Sequence, residues 1–285
     1  MEGKLFLCAT PIGNLDDITF RVLNTLREAD IIAAEDTRHS IKLLNHFDIK
    51  TPMTSYHEYN KVEKARYLVE QMKKGINVAL ITDAGTPGIS DPGEELVRQC
   101  YEAGIPVTSL PGPAACITAL TMSGLPTRRF CFEAFLPPEK SSKKERQRIL
   151  EELKKETRTI VLYEAPHHLE KTLRDLYETL GNRHVTLCRE LTKKYEEAWQ
   201  TNLEKAIEHY REEPPKGEFV LVIEGKEIED VLREERLSWE KMTIEEHMAY
   251  YEQQGIGRKE AMKLAAKDRG ISKREIYQEL LKTGD

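Results

Sequence analysis

The stretch NVALITDAGTPGISDPG, residues Asn77 to Gly93, joins a short apolar run to a loop rich in glycine, proline and aspartate. The run NVALITD is typical of a strand that is buried on both faces, because it lacks polar alternation. Glycine lets backbone amides approach a ligand closely, and proline fixes the direction of a turn. The stretch therefore predicts a parallel strand that ends at a ligand-binding loop.

Two similar loops follow other predicted strands. TPIGNLDD comes after KLFLC, and PGPAA comes after IPVTSL. Ligands of open parallel sheets bind outside the carboxyl ends of the strands, so the three loops together predict one crevice, in which Asp83 would accept hydrogen bonds. Any single loop of this kind is also explained as a tight turn.

Strand and helix patterns alternate through Met122, which predicts βαβ units and a largely parallel sheet. The segment SGLPTRRFCFEAFLPPEKSSKKERQ, beginning at Ser123, is rich in proline and charge and indicates a crossover between domains. The alternation then resumes up to Gly225. We therefore expect an α/β fold with two α/β domains, residues 1–122 and 123–225, a cleft between them, and a linker with a small helical tail at 226–285.

The tail has its own helix signals. Thr243 with Glu246, and Ser272 with Glu275, have the spacing of capping boxes, and Gly270 would end the helix between them. Two basic helices joined by so short a turn resemble a helix-turn-helix. The alternative is a helical cap on the core.

Composition limits the function classes. The chain has 285 residues, 39% of them hydrophobic and 32% charged, and a net charge of −6. No signal peptide or membrane span is expected, so we predict a cytoplasmic protein. The five scattered cysteines and eight histidines show no metal-binding spacing, so no metal is expected. Motifs for triphosphate hydrolysis, dinucleotide binding and α/β-hydrolase chemistry are missing.

Seven segments, in order, carry a family resemblance: ATPIGNLDDIT, AAEDTR, ITDAGTPGISDPG, PGPAACITAL, VLYEAPHHL, RELTKKYEE and GEFVLVIEG. Together they resemble the ribosomal RNA small-subunit methyltransferase I family of the tetrapyrrole methylase superfamily. The match covers nearly the whole chain. It departs from the family pattern at His168, where arginine is expected.

The resemblance implies a homodimer that binds S-adenosylmethionine between its two α/β domains and methylates the 2′-hydroxyl of a cytidine in the decoding region of 16S ribosomal RNA. It also implies which residues contact the cofactor: Pro11, Asp83, Gly85, Thr86, Ala114, Ala115, Tyr163, Gly217 and Glu218.

A ribose hydroxyl needs a base, or a strongly accepting neighbour, to act as a nucleophile. The catalytic candidates lie in the motifs AEDTR and RELTKKYEE: Glu35, Asp36, Arg38, Glu190, Lys193 and Glu197. Alternatively, AEDTR forms an ion-paired helix start with Asp36 as the N-cap.

RNA contacts are expected at basic side chains. Tyr56 and His57 would either stack on a flipped nucleotide or pack within the protein. The basic candidates are Arg128, Arg129, Lys143, Lys144, Arg258, Lys259, Lys273 and Arg274. Two other functions stay open: methylation of a tetrapyrrole carbon, and non-catalytic binding to the ribosome.

Overall fold

The computed structural model describes residues 2–282; residues 1 and 283–285, at the ends of the predicted domains, lie outside the described part. The chain forms two compact units. We call residues 2–153 and 158–224 the α/β unit, and residues 154–157 and 225–282 the helical unit. The α/β unit contains two five-stranded sheets. The predicted α/β fold is confirmed.

The first sheet has strand order β3-β2-β4-β1-β5, and all its pairings are parallel, as the sequence predicts. Its strands are β1 (Leu5–Cys8), β2 (Ile31–Ala34), β3 (Met53–Ser55), β4 (Val78–Ile81) and β5 (Val107–Leu110). The helices after them are α1 (Phe20–Glu28), α2 (Thr37–His46), α3 (Lys61–Lys73), α4 (Gly93–Glu102) and α5 (Ala115–Met122).

Every residue of β4 is buried. Val78 and Leu80 pack in the core formed with α3 and α4, whereas Ala79 and Ile81 pack with α1 and α2 on the other face. Helices thus cover both faces of the sheet, which explains why the run is continuously apolar.

The second sheet is mixed, with order β6-β7-β10-β8-β9; β6 and β7 are parallel and the other pairs antiparallel. Its strands are β6 (Phe130–Phe135), β7 (Thr159–Glu164), β8 (His184–Arg189), β9 (Glu197–Asn202) and β10 (Phe219–Ile223). Its helices are α6 (Glu139–Leu153), α7 (Pro166–Leu180) and α8 (Leu203–Glu212). The expected crossover therefore contains β6 and the start of α6.

Helix α5 connects the two sheets. It follows β5 of the first sheet, and its residues Cys116, Ala119 and Leu120 pack against Val161 and Val220 of the second. This packing brings the carboxyl edge of the first sheet beside the second sheet.

The helical unit consists of α9 (Ile228–Lys241), α10 (Ile244–Gln253), α11 (Arg258–Arg269) and α12 (Lys273–Lys282). Thr243 and Glu246 form a capping box at α10, and α11 ends at Gly270 in a left-handed conformation (φ 65°), as the sequence predicts. The expected linker after Gly225 is instead mostly helix α9. Among residues 2–282, no helix is long and apolar enough to cross a membrane.

Candidate active site

The three glycine- and proline-rich loops meet at the carboxyl edge of the first sheet. Thr10 and Gly85 form an antiparallel bridge, with N–H···O distances of 2.9 Å from Thr10 and 3.1 Å from Gly85. The Thr86 hydroxyl donates to the Pro113 carbonyl at 2.9 Å. These bonds connect the loops after β1, β4 and β5 into one surface.

Position 85 requires a glycine for two reasons. Its φ of 86° lies in the left-handed region, and a Cβ there would lie 3.3 Å from Ile12 Cγ2. A side chain would therefore strain the backbone and press on the loop after β1.

A cavity of about 330 Å³ opens between these loops and the second sheet. Nine of the residues predicted for the site line it: Glu35, Asp83, Gly85, Thr86, Ala114, Ala115, Tyr163, Lys193 and Glu218. The other six predicted positions lie outside the lining: Pro11, Asp36, Arg38, Glu190, Glu197 and Gly217. The lining also contains residues that sequence reasoning missed, among them Ile12, Phe135, Glu164 and Leu191.

Two of the acidic residues in the lining are used structurally. Asp91 accepts hydrogen bonds from the amides of Gly88, Ile89 and Gly93. Glu164 accepts from the Ala165 amide and from a threonine hydroxyl on α7.

Three carboxylates remain to meet a ligand. Glu35 accepts from the Thr82 hydroxyl at 2.6 Å, and Asp83 accepts from the Asp36 amide at 3.1 Å. Both carboxylates keep a second oxygen or a lone pair that can accept a hydrogen bond from a ligand. The third carboxylate is Glu218. The site is thus suited to a ligand with hydroxyl, amine or cationic groups.

Tyr163 connects β7 of the second sheet to helix α5 at the cavity. Its hydroxyl accepts the amide N–H of Cys116, in the first turn of α5, at 3.1 Å. Burial raises the pKa of Tyr163 above its ordinary value, so the phenol stays neutral. Its ring contacts Phe132 and Phe135 at centroid distances of 4.9 and 5.5 Å.

Lys193 is the one basic side chain in the described lining. Its Nζ lies 2.9 Å from Glu190 Oε1 and 2.8 Å from Glu218 Oε2. Burial lowers the pKa of this ammonium, but the two carboxylates more than offset that, and the pKa lies above its ordinary value. Lys193 is therefore a fixed positive charge rather than a base.

Glu190 lies outside the cavity lining but pairs with Lys193, which belongs to it. It accepts the Glu218 amide at 2.9 Å, and this bond, with the Lys193 ion pair, lowers the pKa of Glu190. Gly217, predicted to contact the cofactor, is needed for this packing: its φ is 82°, and a Cβ would lie 2.4 Å from Glu190 Cγ.

The loop that carries Lys193 is strained and tightly packed. Glu190 and Thr192 have φ values of 49° and 65°, which non-glycine residues rarely adopt. A Cβ on Gly13 would lie 2.4 Å from Lys193 Cγ, so the loop after β1 packs directly on the lysine stem. In the sequence, this contact is marked only by a glycine in the predicted loop TPIGNLDD.

Asp36 and Arg38 form a helix start. The Asp36 side chain caps α2 through the Arg38 amide and pairs with the Arg38 guanidinium at 2.8 Å. The guanidinium and that amide lower the pKa of Asp36 to about 2. AEDTR therefore has the geometry of an ion-paired helix start with Asp36 as the N-cap. Glu197 similarly pairs with Arg189, at 2.9 Å, on the exposed edge strand β9.

The predicted RNA contacts are exposed at all eight positions. Arg128 and Arg129 precede β6, Lys143 and Lys144 lie on α6, and the other four begin α11 and α12. Within the basic run of α6, however, Arg146 is buried and pairs with Asp175 at 2.9 Å.

Of the two roles considered for Tyr56, stacking on a nucleotide and packing, the structure shows packing. The side chain is 1% exposed, and its hydroxyl donates to the Pro92 carbonyl at 2.9 Å. It packs in the core of the first sheet.

The model of the family described as Tetrapyrrole (Corrin/Porphyrin) Methylases matches residues 4–207. A solved structure with a similar fold is uroporphyrin-III-C-methyltransferase from Thermus thermophilus, with a TM-score of 0.55 and 20% identity over 77% of this chain and 94% of that one. The chain thus belongs to this family and shares its fold with the solved structure.

Relatives narrow the assignment. Ribosomal RNA small subunit methyltransferase I of Halalkalibacterium halodurans is 50% identical over 97% of this chain and 94% of its own length. The protein of the same name from Thermotoga maritima is 46% identical over 225 residues, which are 79% of this chain and 100% of the relative. Within the tetrapyrrole methylases, the chain belongs to the ribosomal RNA small subunit methyltransferase I family.

Proposed function

We propose that this protein transfers a methyl group from S-adenosylmethionine to the 2′-hydroxyl of a cytidine in small-subunit ribosomal RNA. The observation that carries the proposal is the cavity between the two sheets, where three carboxylates, one fixed ammonium and an apolar wall come together.

The chemistry of the cavity fits the cofactor. S-adenosylmethionine has an amino group, ribose hydroxyls and a positively charged sulfonium, all of which suit Asp83 and Glu218. Its adenine suits the apolar wall that includes Ala114, Ala115 and Leu191. Gly85 and Thr86 would hold it through the main chain, while Pro11 and Gly217 would support the loops from outside the lining.

The bound cofactor supplies an activated methyl group to an in-line displacement. The protein must therefore align the acceptor oxygen, exclude water and manage one proton. Glu35 lines the cavity with a carboxylate that can accept this proton, and Lys193 can hold a phosphate or stabilise the developing alkoxide. Glu190 acts as a positioning residue, because it holds Lys193.

The exposed basic residues on both units would bind the RNA backbone. The homodimer implied by the family resemblance stays a prediction, which sedimentation equilibrium tests. The cytoplasmic location also stays a prediction.

The decisive experiment is transfer of labelled methyl groups to purified small subunits and to naked 16S RNA, followed by mass spectrometry of the nucleosides. We expect 2′-O-methylcytidine. A base-methylated nucleoside would overturn the 2′-O assignment, and label on a tetrapyrrole but not on RNA would favour the tetrapyrrole function. Absence of measurable S-adenosylmethionine binding by calorimetry would favour a non-catalytic ribosome-binding role.

A further inference from the structure

Phe135 has an unusual position for a large apolar side chain. It is the last residue of β6, it lines the cavity, and it is 55% exposed. A phenylalanine left this exposed gains little from the hydrophobic effect. The position therefore calls for an explanation other than core packing.

A β-bulge directs Phe135 into the cavity. Phe132 is opposite Val161 and Ala134 is opposite Leu162, so one extra residue is inserted in β6 between them. In a regular strand, residues three apart point to opposite faces. Because of the bulge, Phe132 and Phe135 both contact the ring of Tyr163.

The bulge is held in a strained backbone. Ala134 has φ 51°, a conformation that glycine adopts at no steric cost but alanine rarely does. Bulges that re-aim a side chain are frequent next to active sites, and strain of this kind persists where the surrounding structure fixes it.

We propose that Phe135 stacks against the base of the nucleotide whose ribose enters the cavity. The assignment rests on the proposed function. Sequence-specific RNA recognition uses unstacked bases that lie against aromatic side chains. Phe135 offers an exposed ring in the cavity that Glu35 and Lys193 also line. Tyr163, edge-to-face with Phe135 at an interplanar angle of 61°, fixes the ring from the protein side.

The test compares Phe135→Ala, Phe135→Leu and Phe135→Trp in the full chain. Tyr101→Ala is the control, because Tyr101 is 71% exposed at the end of α4 and lies outside the cavity lining. Circular dichroism establishes folding, calorimetry gives the S-adenosylmethionine Kd, and labelled methyl transfer to small subunits gives kcat and KM for RNA.

Phe135→Ala and Phe135→Leu should lower kcat/KM for RNA by on the order of tenfold, mostly through KM, with the cofactor Kd unchanged. Phe135→Trp should retain activity because it keeps an aromatic face, and Tyr101→Ala should match the wild type.

Three results would overturn the assignment. If Phe135→Leu is as active as the wild type, the ring is only an apolar cover. If the cofactor Kd rises as much as the RNA KM, Phe135 contacts the cofactor instead. A wild-type protein that transfers no label to RNA would overturn the proposed function, and this assignment with it.

Discussion

The cavity contains several carboxylates, and their surroundings give them different chemistry. Asp91 and Glu164 each accept several hydrogen bonds that shape the loops. Asp83 accepts only one, from the Asp36 amide. A carboxylate that is half satisfied by the protein keeps accepting capacity for a ligand. We therefore expect Asp83 to contact the cofactor directly.

Asp83→Asn should weaken S-adenosylmethionine binding by on the order of tenfold, because a hydrogen bond to a charged group is worth more than one to a neutral amide. The amide oxygen of asparagine can still accept from Asp36, so the fold should survive. Isothermal titration calorimetry measures the change, with Asp48→Asn as the control, because Asp48 is exposed after α2 and lies outside the cavity lining. Equal Kd values for Asp83→Asn and the wild type would show that the loop does not hold the cofactor.

Lys193 brings a positive charge to an acidic cavity, and two carboxylates keep it ionised. Lys193→Ala should reduce kcat by on the order of a hundredfold, as loss of one donor to a developing oxyanion does, with little change in cofactor Kd. The matched control is Lys194→Ala, because the ammonium of Lys194 lies over the exposed Tyr195 ring. Single-turnover methyl transfer is the measurement, and equal rates for the two variants would contradict the role.

Glu190 gives a pH-dependent contribution to stability. Its pKa in the folded protein lies below the ordinary value of 4.5, so the ionised form stabilises the fold above that pH and the benefit is lost as pH falls through the folded pKa. Glu190→Gln should thus lower the free energy of unfolding by about 1 kcal/mol or less at pH 7.

Urea titrations measure the difference in the free energy of unfolding between Glu190→Gln and the wild type at several pH values from about 7 to about 3. The difference should shrink toward zero as the pH approaches about 3. Glu208→Gln, at an exposed position on α8, is the control. A difference that stays constant with pH would mean that the Glu190 charge is not what the mutation removes.

At the scale of elements, the sequence predicts those whose signal is local. β4 is continuously apolar because helices cover both faces of its sheet. The caps at Thr243 and Gly270 depend on one or two residues each. Such features need no tertiary information.

Elements defined by their neighbours were missed. β6 lies between Arg129 and Pro137, whose charge and proline suggested a linker, and its bulge depends on pairing with β7. α9 is acidic, with exposed Ile228 and Leu232, so its sequence lacks the buried stripe of a core helix. In the same way, Gly13 and Gly217 could be recognised as loop glycines, but not as the packing partners of Lys193 and Glu190.

The capping box of α10 gives a prediction at this scale. The Thr243 hydroxyl accepts from the Glu246 amide at 3.1 Å, and the Glu246 carboxylate accepts from the Thr243 amide at 2.8 Å. Thr243→Ala should destabilise α10 by about 1 kcal/mol, whereas Thr243→Ser keeps the hydroxyl and should cost little. Amide hydrogen exchange of residues in α10 reports the local change. Equal protection in the alanine and serine variants would show that the hydroxyl does not hold the helix.

At the scale of the whole molecule, the cavity and the helical unit belong to different parts of the chain. The Thermotoga maritima relative aligns over its full length with 225 residues of this chain, so about sixty residues here have no counterpart in it. All the residues that line the cavity belong to the α/β unit. We therefore expect the helical unit to act on RNA affinity rather than on methyl transfer.

Replacing the four basic residues at the starts of α11 and α12 by glutamine tests this in the full chain: Arg258, Lys259, Lys273 and Arg274. Each phosphate contact adds to the salt dependence of RNA binding, so the variant should bind more weakly and with a shallower slope of log affinity against log salt. The cofactor Kd and the kcat at saturating RNA should stay unchanged.

The charge-matched control replaces four exposed basic residues of the α/β unit by glutamine: Lys50, Arg66, Lys73 and Lys74. A shallower slope in this control as well would mean that net charge, and not the surface of the helical unit, sets RNA affinity. A slope unchanged in the four-residue variant would instead assign the helical unit to a cap or a subunit contact, and the RNA surface would then lie on the α/β unit around Arg128 and Lys143.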